Sequence, residues 1–177
     1  MIRAFEGSMA MIRSGLLGIV TLALLQGAAL GQMRAPHASE AACEEPTLRC
    51  ATKATPAFAP DGTLWLVWMA GGQVSVASSQ DAGRNFSVPV QLTTKRLNLD
   101  WGPDARPKIV VDRNGDIAVA FSIFRDEAFN GQVLYTRSAD RGKSFAELKP
   151  ITASNESQRF EALALDQDGT VLSLIHI

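Results

Sequence analysis

The sequence lacks any marked imbalance of charge and has few of the residues that build reactive centres. Its 177 residues carry 17 Lys and Arg against 18 Asp and Glu, a net charge of −1, with no basic run. Phosphate backbones and anionic lipid are bound by clustered Lys and Arg, so nucleic acid is not an expected partner. The only two histidines, His37 and His176, lie far apart, and only two cysteines occur, Cys43 and Cys50. A metal site needs several such ligands converging, so neither a metal nor a cofactor is expected. No apolar run reaches the about twenty residues that a helix needs to span a bilayer. The longest, from Gly15 to Leu30, has sixteen.

That run has the other marks of a targeting segment. Arg3 and Arg13 precede it and small residues follow, with Ala29-Leu30-Gly31 suited to a signal peptidase. Residues 1–31 are therefore expected to be a signal peptide cleaved after Gly31, and translation from Met11 would give a more conventional one. The alternative is an uncleaved anchor; Cys43 lies too far beyond the run to be lipidated. The mature chain would be secreted or periplasmic in a bacterium, without stable membrane insertion. Its balance becomes 15 basic against 17 acidic residues, a net charge of −2. Residues 32–49 read as a polar linker containing Cys43. In an exported protein two cysteines with six residues between them are most simply a local disulfide, Cys43 to Cys50, pinning the linker to the following domain. A redox or metal site is the alternative, and no histidine stands nearby.

From Cys50 onward the chain repeats itself. Ser79-Gln80-Asp81-Ala82-Gly83-Arg84-Asn85-Phe86 and Ser138-Ala139-Asp140-Arg141-Gly142-Lys143-Ser144-Phe145 both read S-x-D-x-G-x-x-F. Ser and Asp two apart can turn their oxygens onto backbone N–H groups, Gly supplies a positive φ, and Phe returns to the core, so each copy is a hairpin corner. The flanks repeat too: Gly72-Gln73-Val74 matches Gly131-Gln132-Val133, and Pro60 to Trp68 matches Arg113 to Phe121. A third copy begins at Gln167-Asp168-Gly169. Gly62, Gly115 and Gly169 stand 53 and 54 residues apart, the length of one four-stranded propeller blade. The expected fold is all-β, a β-propeller of about two blades and the start of a third. In the first blade, Ala57–Ala59, Thr63–Met69, Gln73–Ser78 and Phe86–Leu92 are the expected strands. Thr63–Met69 is apolar on both faces, which implies burial between neighbours. Trp65, Trp68 and Phe121 read as core, and bulky Trp65 and Val67 are expected to find small partners in the equivalent Ala118 and Ala120.

Two such boxes at this period resemble the Asp-box, or BNR-repeat, proteins of the sialidase (neuraminidase) superfamily, over about Cys50 to Leu172. The resemblance implies a six-bladed propeller when complete, about three repeats more than this chain holds. It implies an exo-alpha-sialidase, a glycoside hydrolase releasing terminal sialic acids from a sialylated glycan or related carbohydrate. The family grips the sialic acid carboxylate with three arginines, which meet it with paired charged hydrogen bonds. Its F/Y-R-I-P pattern is missing here. Arg106-Pro107-Lys108-Ile109 and Arg159-Phe160-Glu161 resemble segments of bacterial proteins grouped as exo-sialidases, which makes Arg106 and Arg159 the substrate-binding candidates and Asp100 and Asp104 the candidate acids. Retaining sialidases use a Tyr nucleophile, but the single Tyr135 aligns with Val76 as a core strand position. The Tyr/Glu pair would then lie in further blades, and residues 32–177 alone would be inactive. Asp81 and Asp140 are expected to brace their own turns, and Asp126 and Glu127 to be solvated carboxylates of a lengthened hairpin. The same box occurs in propellers that are not sialidases, including sorting receptors and photosystem assembly factors, which leaves a non-catalytic propeller binding glycans or proteins as the second reading. The final Leu172-Ser173-Leu174-Ile175-His176-Ile177 matches the translation of a transposon end used in preparing sequencing libraries, so the native sequence is expected to end near Val171.

Overall fold

Ten strands form three antiparallel sheets in a computed structural model that describes Cys43 and residues 45–176. The expected signal peptide, its cleavage point and most of the linker lie outside the described residues. After a single 3-10 turn at Leu48–Cys50, the first sheet contains β1 (Lys53–Phe58), β2 (Leu64–Ala70), β3 (Gln73–Ser79) and β4 (Val90–Gln91) in that order. The second repeats the pattern with β5 (Lys108–Val111), β6 (Ile117–Phe124), β7 (Gly131–Ser138) and β8 (Lys149–Pro150). A hairpin of β9 (Arg159–Leu165) and β10 (Val171–His176) follows. Each sheet is an up-and-down meander, so the chain is all-β and makes two propeller blades and the first hairpin of a third.

The repeat is visible in the hydrogen bonds as well as in the order of strands. Leu92 N donates to Val74 O at 2.9 Å and Ile151 N to Val133 O at 3.0 Å; Leu97 N donates to Gly72 O at 2.8 Å and Gln158 N to Gly131 O at 3.0 Å. Three equivalent turns join the first two strands of each unit: Gly62 N bonds Ala59 O, Gly115 N bonds Asp112 O, and Gly169 N bonds Asp166 O. The sulfurs of Cys43 and Cys50 are joined as a disulfide, with Cα atoms 5.3 Å apart.

The middle strands carry the core because both their faces are covered. Trp65, Val67 and Met69 point from β2 into a cluster with Ile109, Val111, Ile117, Val119 and Phe121 of the second blade. Trp68 and Ala70, on the opposite face, pack with Cys50 and Ala77. Each fully buried side chain of this size contributes about 1.5–3 kcal/mol, so the interface between blades supplies much of the stability. The expected partners of Trp65 and Val67 need correction. Equivalent residues point the same way in successive blades, so Ala118 and Ala120 face the third hairpin, and Trp65 and Val67 meet the Ile117–Val119–Phe121 face instead. The small residue under Trp65 is Gly142, where an added Cβ would lie 2.3 Å from the indole.

The two middle strands match the sequence expectation to within one residue at each end, and the two outer ones depart from it. β1 starts at Lys53, four residues before Ala57, and passes through Pro56. Proline is tolerated there because β1 is the edge strand of its sheet and Pro56 needs no partner for the N–H it lacks. The outermost strand shrinks from Phe86–Leu92 to Val90–Gln91, since Pro89 interrupts the ladder. Tyr135 lies in β7 opposite Ala120 and Lys149, half-buried rather than in the core.

Both S-x-D-x-G-x-x-F corners close in the same way. Ser79 Oγ accepts from Gly83 N at 2.8 Å and donates to Asp81 Oδ1 at 2.7 Å; Asp81 accepts from Asn85 N at 2.8 Å and from Asn85 Nδ2 at 2.6 Å. In the second corner Ser138 Oγ accepts from Gly142 N at 2.8 Å and donates to Asp140 at 2.8 Å, and Ser144 donates to Asp140 through N at 2.9 Å and Oγ at 2.5 Å. Donors from Asn85 lower the Asp81 pKa to about 2, and those from Ser144 do the same for Asp140. Phe86 then packs on the Trp68 cluster and Phe145 on the main core.

The corners differ in what lies above their glycines. At Gly83 (φ 87°) an added Cβ would meet Leu64 at an ordinary 3.4 Å, whereas at Gly142 (φ 76°) it would overlap Trp65. Gly83→Ala should therefore lower stability by the conformational penalty alone, about 1–2 kcal/mol. Gly142→Ala should add about 1–3 kcal/mol for displacing the indole. Urea denaturation of the two variants would measure the difference, and equal losses would show that Trp65 does not depend on Gly142.

Candidate functional site

The innermost strands all begin at one end of the blades, and the charged residues gather there. Nine residues before the turn glycines 62 and 115 stand Lys53 and Arg106. Nine before Gly169 stands Phe160, in a backbone kink at φ 55°, with Arg159 directly before it. Each unit thus presents a basic residue at the head of its first strand.

The link between the blades supplies the carboxylates. Asn98 to Asp100 runs along the end of β6, where Phe124 N donates to Asn98 O at 2.7 Å, Leu99 pairs with Ile123, and Asp100 N donates to Ser122 O at 2.9 Å. This anchors Asp100 out of solvent, fully buried. Arg159 meets it with two hydrogen bonds, Nε to Oδ2 at 2.7 Å and Nη2 to Oδ1 at 2.9 Å, and Gly102 N donates to Oδ1 at 2.9 Å. The bond to Asp100 raises the Arg159 pKa. Two residues expected as acid and anion ligand are thus bound to each other, and the Arg159 guanidinium also lies over the rings of Phe124 and Phe160, 5.0 and 4.8 Å from their centroids.

The other two expected residues remain exposed. Arg106 and Asp104 are joined only through their backbones, Arg106 N to Asp104 O at 2.9 Å, and the Arg106 side chain has no hydrogen bond or ion pair among the described residues. Lys108 Nζ donates to Arg106 O at 2.8 Å. Lys53 Nζ donates to the Gly102 carbonyl, and the charges of Asp100, Arg106, Asp104 and Lys108 all act on it. Desolvation is the largest influence and lowers the Lys53 pKa. The fold therefore brings Asp100, Asp104, Arg106 and Arg159 into one neighbourhood and adds Lys53. A cavity of about 250 Å³ opens beside Lys53, Asp100 and Trp101, backed by Met69, Leu97 and Leu99. Two larger hollows, about 460 Å³ each, surround the turns at the opposite ends of the strands and hold none of these residues.

Glu161 lies beneath this end, between the second blade and the third hairpin. It is 2% exposed; Ser122 Oγ donates to its Oε2 at 2.5 Å, and its Oε1 has no partner among the described residues. Burial pushes its carboxyl pKa up, because the charged form is denied solvent. Gln158, also buried, spends its amide on Thr152 Oγ1 at 2.6 Å and Ser154 O at 3.3 Å. Its backbone approaches Gly131 so closely that a Cβ there would lie 2.4 Å from Gln158 O, which explains the glycine at the start of β7. Among the described residues no group of three His, Cys, Asp or Glu gathers as metal ligands, and no helix is long and apolar enough to cross a membrane.

Lys53 is absent from the sequence expectations, although the nine-residue offset to the turn glycine marks it as plainly as Arg106. The buried role of Glu161 left no such mark, because it depends on Ser122 from the neighbouring blade.

The meander topology and the head-to-head strand starts define the class of the protein, an all-β chain forming part of a β-propeller. No family model matches the chain, and no curated protein matches it. Among solved structures it is similar to an endo-arabinase from Bacteroides thetaiotaomicron, with 13% identity and a TM-score of 0.48. The match covers 71% of this chain and 50% of that one, so the chain spans about half the length of that enzyme.

The Asp100–Arg159 pair is asymmetric, with Asp100 enclosed and Arg159 30% exposed. Arg159→Leu strands a buried carboxylate and should lower stability by about 3 kcal/mol. Asp100→Asn leaves a guanidinium that can still reach water and should cost about 1–2 kcal/mol. Denaturant titration would test the order, and the reverse order would remove Asp100 from the interior. For Glu161, the raised folded-state pKa means that stability present below the ordinary value of 4.5 is lost as pH rises through the folded-state value. Glu161→Gln should abolish that loss and be more stable than the parent at pH 7 but not at pH 4. A pH series of melting temperatures that is parallel for the two proteins would contradict it.

Proposed function

We propose that the chain is the N-terminal part of an exported, sialidase-like glycoside hydrolase that takes a terminal sialic acid or related acidic sugar at the heads of its innermost strands. The observation that carries the reading is the convergence of Lys53, Arg106, Lys108 and Arg159 around the inter-blade link, on a scaffold with two Asp-box corners. Lys53, Lys108 and exposed Arg106 would meet the sugar carboxylate, since charged donors bind it more strongly than neutral ones. Arg159, already held by Asp100, would fix that link in place and not grip substrate directly. Asp104, exposed beside Arg106, would then be the proton donor in preference to Asp100, whose oxygens are occupied. A nucleophile would come from sequence beyond this chain, because the single Tyr135 stands on β7, two strands outward in the sheet from Lys108 at the head of β5.

A second reading, a non-catalytic propeller that binds glycans or protein partners, is favoured by the same ion pair. It removes the best-placed arginine and the most enclosed aspartate from the chemistry.

An assay of the complete gene product on a fluorogenic sialoside, with Arg106→Ala alongside, separates the two. The hydrolase reading expects release of the fluorophore and a loss of about tenfold or more in kcat/KM for the variant, the worth of one charge-assisted contact. No release from a folded product would leave the binding reading.

A further inference from the structure

Beside the cationic heads stands a group of aromatic rings that the proposed chemistry does not use. Trp101, next to Asp100 in the inter-blade link, is 70% exposed, and Phe129, in the β6–β7 hairpin, is 54% exposed. Both stand edge-to-face on buried Phe124, Trp101 with a centroid separation of 6.5 Å and Phe129 with one of 5.2 Å, and they approach each other at 6.4 Å. Phe124 in turn lies under the Arg159 guanidinium. The exposed rings are therefore fixed to the framework of the strand heads.

The hairpin is built to hold Phe129 in that position. Phe129 has φ 61°, a conformation that a bulky residue rarely adopts. Asp126 imposes it: its Oδ1 accepts from Ala128 N at 3.0 Å and Asn130 N at 3.1 Å, Asn130 Nδ2 donates to its Oδ2 at 2.8 Å, and Phe129 N donates to its carbonyl at 3.2 Å. A strained backbone that keeps a large apolar ring half in water recovers only the contacts with Phe124 and Trp101, and the exposed remainder directs attention to a ligand.

We propose that Trp101 and Phe129, seated on Phe124, form a subsite for the C–H face of a neutral pyranose ring, the sugar to which an acidic residue at the cationic heads would be attached. The inference rests on the reading of the strand heads as an acidic-sugar site. Rigid rings with only two side-chain torsions lose little entropy on packing against a sugar. Two exposed rings offer far less than the roughly 800 Å² per partner of a stable protein interface, which favours a ring-sized ligand over a protein. The neighbouring basic residues complement a sugar chain that is acidic at one end and neutral at the next position.

Lactose and 3′-sialyllactose are the probes. Within this chain Trp65 and Trp68 are buried, so Trp101 is the tryptophan a ligand can reach, and the part of an emission change that Trp101→Phe removes is the part Trp101 reports. Lactose should shift that emission in the complete gene product, and saturation transferred from aromatic protons should reach its ring C–H groups. Phe129→Asn keeps a residue that tolerates positive φ and should retain the melting temperature while binding lactose about tenfold more weakly, a difference of about 1.4 kcal/mol. Arg106→Ala should weaken 3′-sialyllactose and leave lactose unchanged. Lactose binding without preference for 3′-sialyllactose would sink the acidic-sugar reading and still support the subsite. The subsite is overturned if the parent shows neither emission change nor saturation transfer with lactose, or if Phe129→Asn binds lactose as the parent does.

Discussion

The contact of Trp65 with Gly142 ties together the elements of this structure that repeat. A blade has two apolar faces and can cover neither alone, so its stability depends on the next blade arriving at the right distance and rotation. Trp65 sets that distance from the first blade, and the positive-φ glycine of the second Asp-box corner receives it. The corner is thus more than a turn. Its Ser138–Asp140–Ser144 bonds hold Gly142 in the one conformation that leaves room for an indole, and Phe145 from the same corner closes on the same core. Local hydrogen bonding and packing between blades are therefore one constraint.

At the other end of the strands the constraint is electrostatic. Asp100 is drawn from solvent by backbone pairing of the link to the end of β6, and a carboxylate so placed must be matched. Arg159 matches it from the third unit, so the bond joins the inter-blade link to the head of β9. Glu161, two residues along β9, meets Ser122 of the same β6. Consecutive inward residues of one strand are thus committed to polar contacts where the equivalent stretch of the first interface is apolar. The interface between the second and third units is accordingly the one whose stability should respond to pH and charge.

Much of the framework was legible in sequence because it rests on local rules. The S-x-D-x-G-x-x-F boxes, the turn glycines and the doubly apolar strands each announce themselves within a few residues, and their spacing gives the blade. The direction of Trp65 was not legible, since which neighbour a face meets depends on rotation around the propeller, which no single strand encodes. The early start of β1 was hidden by Pro56, whose usual meaning is reversed on an edge strand. At the site, Asp100, Asp104, Arg106 and Arg159 could be gathered from their places before the strands. That Asp100 and Arg159 would choose each other required their positions in space, 59 residues apart in the chain.

One local device serves both ends of the molecule. In the first Asp box, Asp81 accepts from the backbone and side-chain amides of Asn85, four residues on, and forces positive φ in between. Asp126 accepts from the backbone and side-chain amides of Asn130 in the same way, with positive φ at Phe129. The clamp is the same, yet what it presents differs: a glycine over Leu64 of its own blade at the first corner, and an exposed phenylalanine at the strand heads. In the first case the positive φ values fall on Ala82 and Gly83, and the result is packing, with Phe86 returned to the Trp68 cluster. In the second the positive φ falls on Phe129, whose ring rests on Phe124 and stays half exposed. Both Asp-box corners also hold an exposed non-glycine residue at positive φ, Ala82 and Arg141, and what sets the β6–β7 hairpin apart is that its strained position carries a large apolar ring beside the charged strand heads.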